Sequence, residues 1–352
     1  MVEFEIDGKR ITDDSKAYVI AEIGNNHMGD IEVCKQLFLE AKHCGADAVK
    51  LQKRNNKELF TKEVYDRPYD NPNSYGKTYG EHREYLEFDY DQYRELQKYC
   101  KKINITFFAT AFDIDSADFL ESLDIPAYKI ASWDIVNIPL IKHIACFDKP
   151  IILSTGGANL KDIFRAVTEI EEIHQKVAIL HCIADYPAKS KDIKIETIEL
   201  LMREFSDYIV GYSCHYNGIL MAEAAYIHGA RIIEKHFTLD HTWRGTDHAL
   251  SLEPAGFAKL CRDLKRLYLA LDSRTERLPC EDPVIKKMGN AIHPARTIKK
   301  GSVITENDIA IKAPQEGILP YDYDKVLGKI AVSEISTADT LEWNKLEGKG
   351  GE

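Results

Sequence analysis

Two lysines stand inside otherwise apolar runs, Lys50 in Val49-Lys50-Leu51 and Lys129 in Tyr128-Lys129-Ile130. An ammonium group left unpaired in a low-dielectric interior is costly, so each needs either a carboxylate or an anionic ligand. Glu22 and Glu234, in comparable apolar runs, are the carboxylates on offer. A bound anion would instead meet the two lysines together with the hydroxyls and backbone N–H groups of Ser154-Thr155-Gly156-Gly157 before a helix, where phosphate is well cradled. A small phosphorylated molecule, with or without a carboxylate, is the preferred ligand class. His215 and His236 end two further runs that are expected to be adjacent strands. Parallel neighbours lie about 4.8 Å apart, so both imidazoles reach one divalent ion, or merely share hydrogen bonds. Two protein nitrogens leave positions open to water and substrate, which suits Lewis-acid catalysis and not a closed structural zinc site.

Other polar residues fall at the ends of apolar runs: Asn26-His27, Gln52, Thr110, Ser132, His181 with Tyr186 just beyond, and Ser213. Asp247 follows the last run, on a loop that either faces the same site or caps the helix starting near Pro254.

The elements that position these groups are legible as alternation. Val/Ile/Phe-rich runs at 18–23, 47–52, 105–110, 127–132, 150–154, 177–182, 209–213 and 231–236 are separated by helical patterns such as 31–44, 91–103 and 159–173. Strand-then-helix repeated eight times predicts an α/β protein, a (β/α)8 TIM barrel, with a doubly wound open sheet as the alternative. Both folds put reactive residues at the carboxyl ends of strands, which is where the polar residues fall. An N-terminal β-hairpin is expected over 2–11, turning at Asp7-Gly8. Residues 53–90 form a polar insertion, of a length that marks lids or disorder. The domains expected are a barrel at 1–272, a charged, proline-containing linker at 273–286, and a small module at 287–352 with a thin core.

Of 352 residues, 44% are hydrophobic and 29% charged, an ordinary globular balance. A net charge of −11 argues against a nucleic-acid partner, because phosphate backbones call for excess Lys and Arg. No apolar run is long enough to span a bilayer and the first residues do not read as a secretion signal, so no membrane partner is expected. The eight cysteines are scattered without a Cys-x-x-Cys pair. Cys34, Cys44, Cys100 and Cys146 fall on apolar helix faces, which predicts buried free thiols and a cytoplasmic location.

The sequence resembles the sialic acid synthase family, the phosphoenolpyruvate-dependent synthases of nine-carbon 2-keto-3-deoxy sugar acids. The matching segments are Ala21-Glu22-Ile23-Gly24-Asn25-Asn26-His27, Gly45-Ala46-Asp47-Ala48-Val49-Lys50-Leu51-Gln52, Ile125-Pro126-Ala127-Tyr128-Lys129-Ile130, Ile152-Leu153-Ser154-Thr155-Gly156 and Ile233-Glu234-Lys235-His236-Phe237-Thr238-Leu239-Asp240. The tail, with Ala295-Arg296-Thr297-Ile298-Lys299-Lys300-Gly301 and Val326-Leu327-Gly328-Lys329, resembles the family's antifreeze-like (SAF) domain. Within the insertion, Gly76-Lys77-Thr78-Tyr79-Gly80-Glu81-His82 resembles the branch that uses a sugar 6-phosphate, as does Trp243-Arg244-Gly245-Thr246-Asp247-His248.

The resemblance implies that Lys50, Gln52, Lys129, Ser132, Ser154 and Ser213 bind the carboxylate and phosphate of phosphoenolpyruvate. It implies that His215 and His236 hold Mn²⁺ or Mg²⁺ against an aldose aldehyde, that Glu22 handles the attacking water, and that Tyr186, Asp247 and Asp134 face sugar hydroxyls. Thr110 and Thr155 complete the expected substrate contacts. A domain-swapped homodimer is implied as well. Ala313, Cys214 and Ala184 depart from residues common in relatives, which leaves the acceptor open among N-acylmannosamine, its 6-phosphate, mannose 6-phosphate and diacetamido sugars. A non-catalytic sugar-phosphate binding protein is the reading from outside enzymology.

Overall fold

A computed structural model describes residues 2–348. The chain divides into two compact units, one ending at Leu271 and one beginning at Asp272.

The first unit opens with a hairpin, β1 (Glu3–Ile6) and β2 (Lys9–Thr12), paired antiparallel. Its turn residues Asp7 and Gly8 have φ of 52° and 73°, the positive pair that a tight hairpin turn requires. Phe4, Ile6 and Ile11 are buried in the barrel's own core. Asp7 accepts from Thr106 Oγ1 at 2.9 Å, at the first residue of a barrel strand, so the hairpin sits at the strands' amino-terminal end.

Eight strands follow: β3 (Tyr18–Gly24), β4 (Ala48–Lys53), β5 (Thr106–Ala111), β6 (Tyr128–Ile130), β7 (Ile151–Ser154), β8 (Val177–Cys182), β9 (Ile209–Cys214) and β10 (Ile232–His236). All pairings among them are parallel, and β10 pairs with both β9 and β3, closing the sheet. Closure excludes the open doubly wound alternative. The strands read as near-continuous apolar runs because both faces are covered, by the barrel interior and by the helix layer.

The helices have local causes. Ile31–Cys44 starts at Asp30, whose carboxylate accepts from the N–H groups of Glu32 and Val33, and stops at Gly45 with φ 99°. Leu160–Glu171 carries a capping box between Asn159 and Asp162. The insertion is more ordered than its composition suggested. It holds three short helices, Asn56–Leu59, Lys62–Asp66 and Tyr79–Tyr85, the last fixed by a Thr78–Glu81 capping box and by contacts of Tyr79 with Phe60 and Tyr69.

The fourth run is shorter than expected. β6 ends at Ile130, and Ser132–Val136 form a 3-10 turn. All eight cysteines are free, but Cys146 is exposed, because the helix Ile138–Ala145 ends just before it.

The second unit has two small antiparallel pairs, Ala291–Pro294 with Ile309–Lys312 and Ile330–Ala331 with Leu346–Glu347. They surround a core that includes Ile292, Ile298, Ile304, Val326, Ile335 and Leu341. Asp282–Met288, partly within the expected linker, is a helix. Pro283 lies in its first turn, where a missing N–H costs nothing, so the proline starts an element there instead of breaking one.

Candidate active site

Strand register places the chemistry at the carboxyl end of the barrel. His236 pairs beside Glu22, which pairs beside Lys50; Gln52 lies beside Thr110, which lies beside Lys129; Cys182 lies beside Ser213, which lies beside Glu234. These three arcs line a cavity of about 380 Å³, within the usual size range of small-molecule sites. Glu22, Lys50, Gln52, Thr110, Lys129, Ser132, Ser154, Tyr186, Ser213, His215, His236 and Asp247 all line it.

The two lysines have different surroundings. Lys50, 3% exposed, sits 2.6 Å from Glu22 Oε2 and 3.8 Å from Glu234 Oε2, and donates to Thr110 Oγ1 at 2.8 Å. It is therefore the cation of a carboxylate pair. Lys129, equally buried, donates only to the Ile130 carbonyl at 2.9 Å and has no carboxylate partner. Burial lowers its pKa, with Glu234 opposing. Among the described residues, Lys129 is thus a cavity-lining cation with no carboxylate in ion-pair contact.

Burial raises the Glu22 carboxyl, against the pull of Lys50. Glu22 Oε1 also accepts from Gln52 Nε2 at 2.7 Å. Burial acts on Glu234 in the same sense, but Lys50 and Lys129 outweigh it and hold that carboxyl below the usual range. Ser213 Oγ donates to Glu234 at 3.0 Å. The two carboxyls are thereby differentiated, Glu22 toward proton binding and Glu234 toward ionisation, a separation that allows distinct acid–base roles.

Gly24 explains how the first strand reaches this site. Its φ is +53°, and a Cβ there would lie 3.3 Å from each of Glu22 Oε1, Gln52 Nε2 and Asp247 Oδ2. A side chain would strain the backbone and crowd the point where these three groups converge.

The imidazoles of His215 and His236 have ring centroids 5.5 Å apart. His215 Nδ1 faces the Ile183 carbonyl at 2.8 Å; a carbonyl only accepts, so Nδ1 carries the hydrogen and Nε2 is left as the free donor atom. Burial disfavours the His215 cation, but contact with Cys182 more than offsets it and raises the pKa. Burial lowers the pKa of His236, whose Nδ1 is enclosed without a hydrogen-bond partner. A neutral imidazole with an unpartnered nitrogen, as at His236, suits a divalent ion. Among the described residues, no group of three or more His, Cys, Asp or Glu side chains is placed to hold a metal. Tyr186 stacks on His215 with centroids 4.0 Å apart.

Several expected contacts do not face the cavity. Thr155 is absent from its lining, and Thr155 Oγ1 donates to the Leu180 carbonyl at 3.0 Å. The expected backbone cradle is also partly spent: Thr155 N–H goes to Leu180 O and Gly156 N–H to Ser132 Oγ. Ser154 Oγ is buried and unpartnered, so it is the open donor of this turn. Asp134 lies in the 3-10 turn after β6, outside the lining, and burial raises its pKa to about 7. Asn26 donates to Phe237 O and Ser251 Oγ, His27 packs on Phe88 with its pKa pushed down to about 3 by burial, and His181 bonds Ile193 O. These three are structural.

Sequence reasoning missed Asn25, Arg54, Arg83, Phe112, Trp133, Cys182 and Thr246, which also line the cavity. Cys182 and Arg54 were within reach of a period-two count, from Leu180 on β8 and from Lys50 and Gln52 on β4. Arg83 lies on the insertion helix, where no strand period applies.

A closed barrel with a cation, hydroxyls and paired imidazoles at its carboxyl-end mouth defines an enzyme acting on a small anionic substrate. The NeuB family matches residues 37–276 and the SAF domain matches residues 289–347. The chain is 35% identical to human N-acetylneuraminate-9-phosphate synthase, over 95% of this chain and 94% of that one. It is 36% identical to N,N'-diacetyllegionaminic acid synthase of Campylobacter jejuni, over 93% and 99% respectively. The crystal structure of the Leptospira borgpetersenii N-acetylneuraminic acid synthetase matches with a TM-score of 0.71 at 30% identity, covering 80% of this chain and 95% of that one. The chain belongs to the NeuB family of sialic-acid-synthase-like enzymes and carries a C-terminal SAF domain. Membership brings the family's general chemistry, a phosphoenolpyruvate-dependent aldol-type condensation. Among the described residues no helix is long and apolar enough to cross a membrane.

Proposed function

We propose that the protein condenses phosphoenolpyruvate with an N-acylmannosamine or its 6-phosphate, giving an N-acylneuraminate or its 9-phosphate and inorganic phosphate. The observation that carries this reading is the unpaired cation Lys129, set in one cavity with the open hydroxyl of Ser154, the carboxyl pair Glu22–Glu234 and the two imidazoles. Lys129, Ser132, Ser154 and Ser213 bind the phosphate and carboxylate of the enol ester, with Lys50, Gln52 and Thr110 ordering the wall beside them. Charge-assisted contacts of this kind position the enol C3 against the acceptor aldehyde. His215 and His236 would hold Mn²⁺ or Mg²⁺, which when bound supplies Lewis-acid polarisation of that aldehyde. C3 attacks the aldehyde carbon, forming the new C–C bond, and water adds to C2. Glu22, with its raised proton affinity and its anchors to Lys50 and Gln52, takes the proton of that water. The tetrahedral C2 centre then collapses with loss of phosphate through C–O cleavage. Tyr186 and Asp247 face the acceptor's hydroxyls from the rim.

A diacetamido acceptor is a second reading, favoured by similarity to legionaminic acid synthases at the same level as to the 9-phosphate synthases. Eight free cysteines agree with a reducing, cytoplasmic setting. The small second unit would gain from docking on a partner subunit, as a domain-swapped homodimer provides. The test is phosphate release from phosphoenolpyruvate with Mn²⁺ across free and 6-phosphorylated mannose-configured and diacetamido sugars. Release with a mannose-configured sugar is expected; silence across the panel contradicts the reading.

A further inference from the structure

The cavity residues Thr246 and Asp247 lie on the connection between β10 and the helix Pro254–Ala270. The base of that connection is tied to the barrel. Leu252 N–H donates to His236 O, Asn26 Nδ2 to Ser251 Oγ at 2.9 Å, and Ser251 Oγ to Asp247 O at 2.6 Å. The tip has no such anchor. Among the described residues, the hydrogen bonds that link 243–246 to another part of the chain both come from the polar insertion. Tyr75 Oη donates to Arg244 O, and Asn73 Oδ1 accepts from Gly245 N–H at 3.3 Å. The Arg244 guanidinium also lies 4.8 Å from the centre of the Tyr75 ring.

Tyr75 is itself firmly held. Its ring stacks on Tyr85 with centroids 4.9 Å apart and planes 6° from parallel, and its N–H donates to His82 Nδ1 at 3.1 Å. His82 is buried, and burial with the nearby Arg83 and Arg244 cations pushes its pKa down to about 4, so at neutral pH it remains the unprotonated acceptor that this bond requires. Both partners belong to the helix Tyr79–Tyr85, which rests on the bend after β3: a Cβ at Gly29, where φ is +75°, would meet Tyr85 O at 2.6 Å. The insertion is therefore packed between the first and the last strand-to-helix connections of the barrel, which are neighbours because β10 pairs with β3. We propose that the insertion is a brace for the loop that carries Asp247, and that Tyr75 is a positioning residue for the acceptor. Through Arg244 and Gly245 the brace sets Thr246, whose Oγ1 donates to Asp247 Oδ1 at 3.1 Å and so aims that carboxylate. The role in acceptor binding rests on the contact assigned to Asp247 under the proposed function, while the brace stands on its own geometry.

The test uses the full-length protein with Tyr75→Phe, which removes the hydroxyl alone, and Tyr75→Leu, which removes the aromatic stack as well; thermal melting confirms that both are folded. Hydrogen exchange of the 243–247 amides should quicken about 2- to 10-fold in Tyr75→Phe, the value of one neutral hydrogen bond, and further in Tyr75→Leu. Steady-state kinetics with phosphoenolpyruvate, Mn²⁺ and N-acetylmannosamine, free and 6-phosphorylated, should show the acceptor KM rising about 2- to 10-fold in Tyr75→Phe and more in Tyr75→Leu, with the KM for phosphoenolpyruvate unchanged. A general loss of structure would move both constants together. Unchanged exchange over 243–247 overturns the brace, and equal rises in the two KM values, or no rise in either, overturn the positioning role of Tyr75. Turnover of neither sugar by the wild type refutes the acceptor reading and Tyr75's part in it, while faster exchange in Tyr75→Phe still supports the brace.

Discussion

Replacing Lys50 by Met perturbs the most tightly coupled part of the site. Lys50 Nζ lies 2.6 Å from Glu22 and 3.8 Å from Glu234, and all three side chains are buried. Removing the cation leaves two carboxyls facing each other with little solvent, and breaking a buried pair in this way costs about 3–5 kcal/mol. The cost must depend on pH. In the intact protein burial already raises Glu22, and Lys50 is the largest opposing influence. Without Lys50 the folded-state pKa rises further above the unfolded value of about 4.3, so the folded variant binds a proton that the unfolded chain releases. Stability gained in this way is fully present below the unfolded pKa and is lost as pH rises through the folded one. The deficit relative to wild type should therefore be largest near about pH 8 and shrink on acidification by up to about 1.4 kcal/mol per pH unit. Urea titrations of both proteins across that range measure it. A deficit that is independent of pH, or that grows on acidification, would refute the placement of Lys50 between two carboxylates.

Lys129→Met removes a buried ammonium that pairs with no carboxylate, so stability should change by less than about 1 kcal/mol or improve. The same variant should raise the KM for phosphoenolpyruvate about 10- to 100-fold, which steady-state kinetics will read. Gly24→Ala forces a side chain into φ +53° and should cost about 1–2 kcal/mol by thermal or urea melting. Its Cβ also presses on Gln52 and Asp247, so the acceptor's KM should rise with it. His236→Ala should leave a folded barrel that neither gains Tm on addition of Mn²⁺ nor shows metal-stimulated phosphate release; an unchanged Mn²⁺ effect in both measurements would remove the metal assignment.

The barrel was legible because eight apolar runs alternate with amphipathic helices, and that pattern survives without tertiary information. The site was legible wherever a charge interrupted such a run, as at Lys50 and Lys129. What each lysine does was not legible. Whether an ammonium meets a carboxylate depends on register around the barrel, which put Glu22 beside Lys50 and left Lys129 with a carbonyl. Parity explains other differences: choosing His181 over Cys182 as the end of its strand picked the side chain that bonds Ile193 O instead of the one that lines the cavity. Thr155 and Asp134 lie outside the cavity lining for a local reason, since turns after strands consume hydroxyls and re-aim acids without a period to follow. Arg83 carried no signal, because its approach is set by how the insertion folds back through the Thr78 cap and the contacts of Tyr79.

The most direct test of the condensation uses phosphoenolpyruvate labelled with ¹⁸O at the bridging oxygen between C2 and phosphorus, turned over with the acceptor that the panel identifies. If water adds at C2 beside Glu22 and phosphate leaves by C–O cleavage, all of the label appears in inorganic phosphate, as read by the isotope shift in ³¹P NMR. Label retained in the keto-acid product would mean that phosphorus and not C2 was attacked, and would contradict the roles given to Glu22 and the cavity.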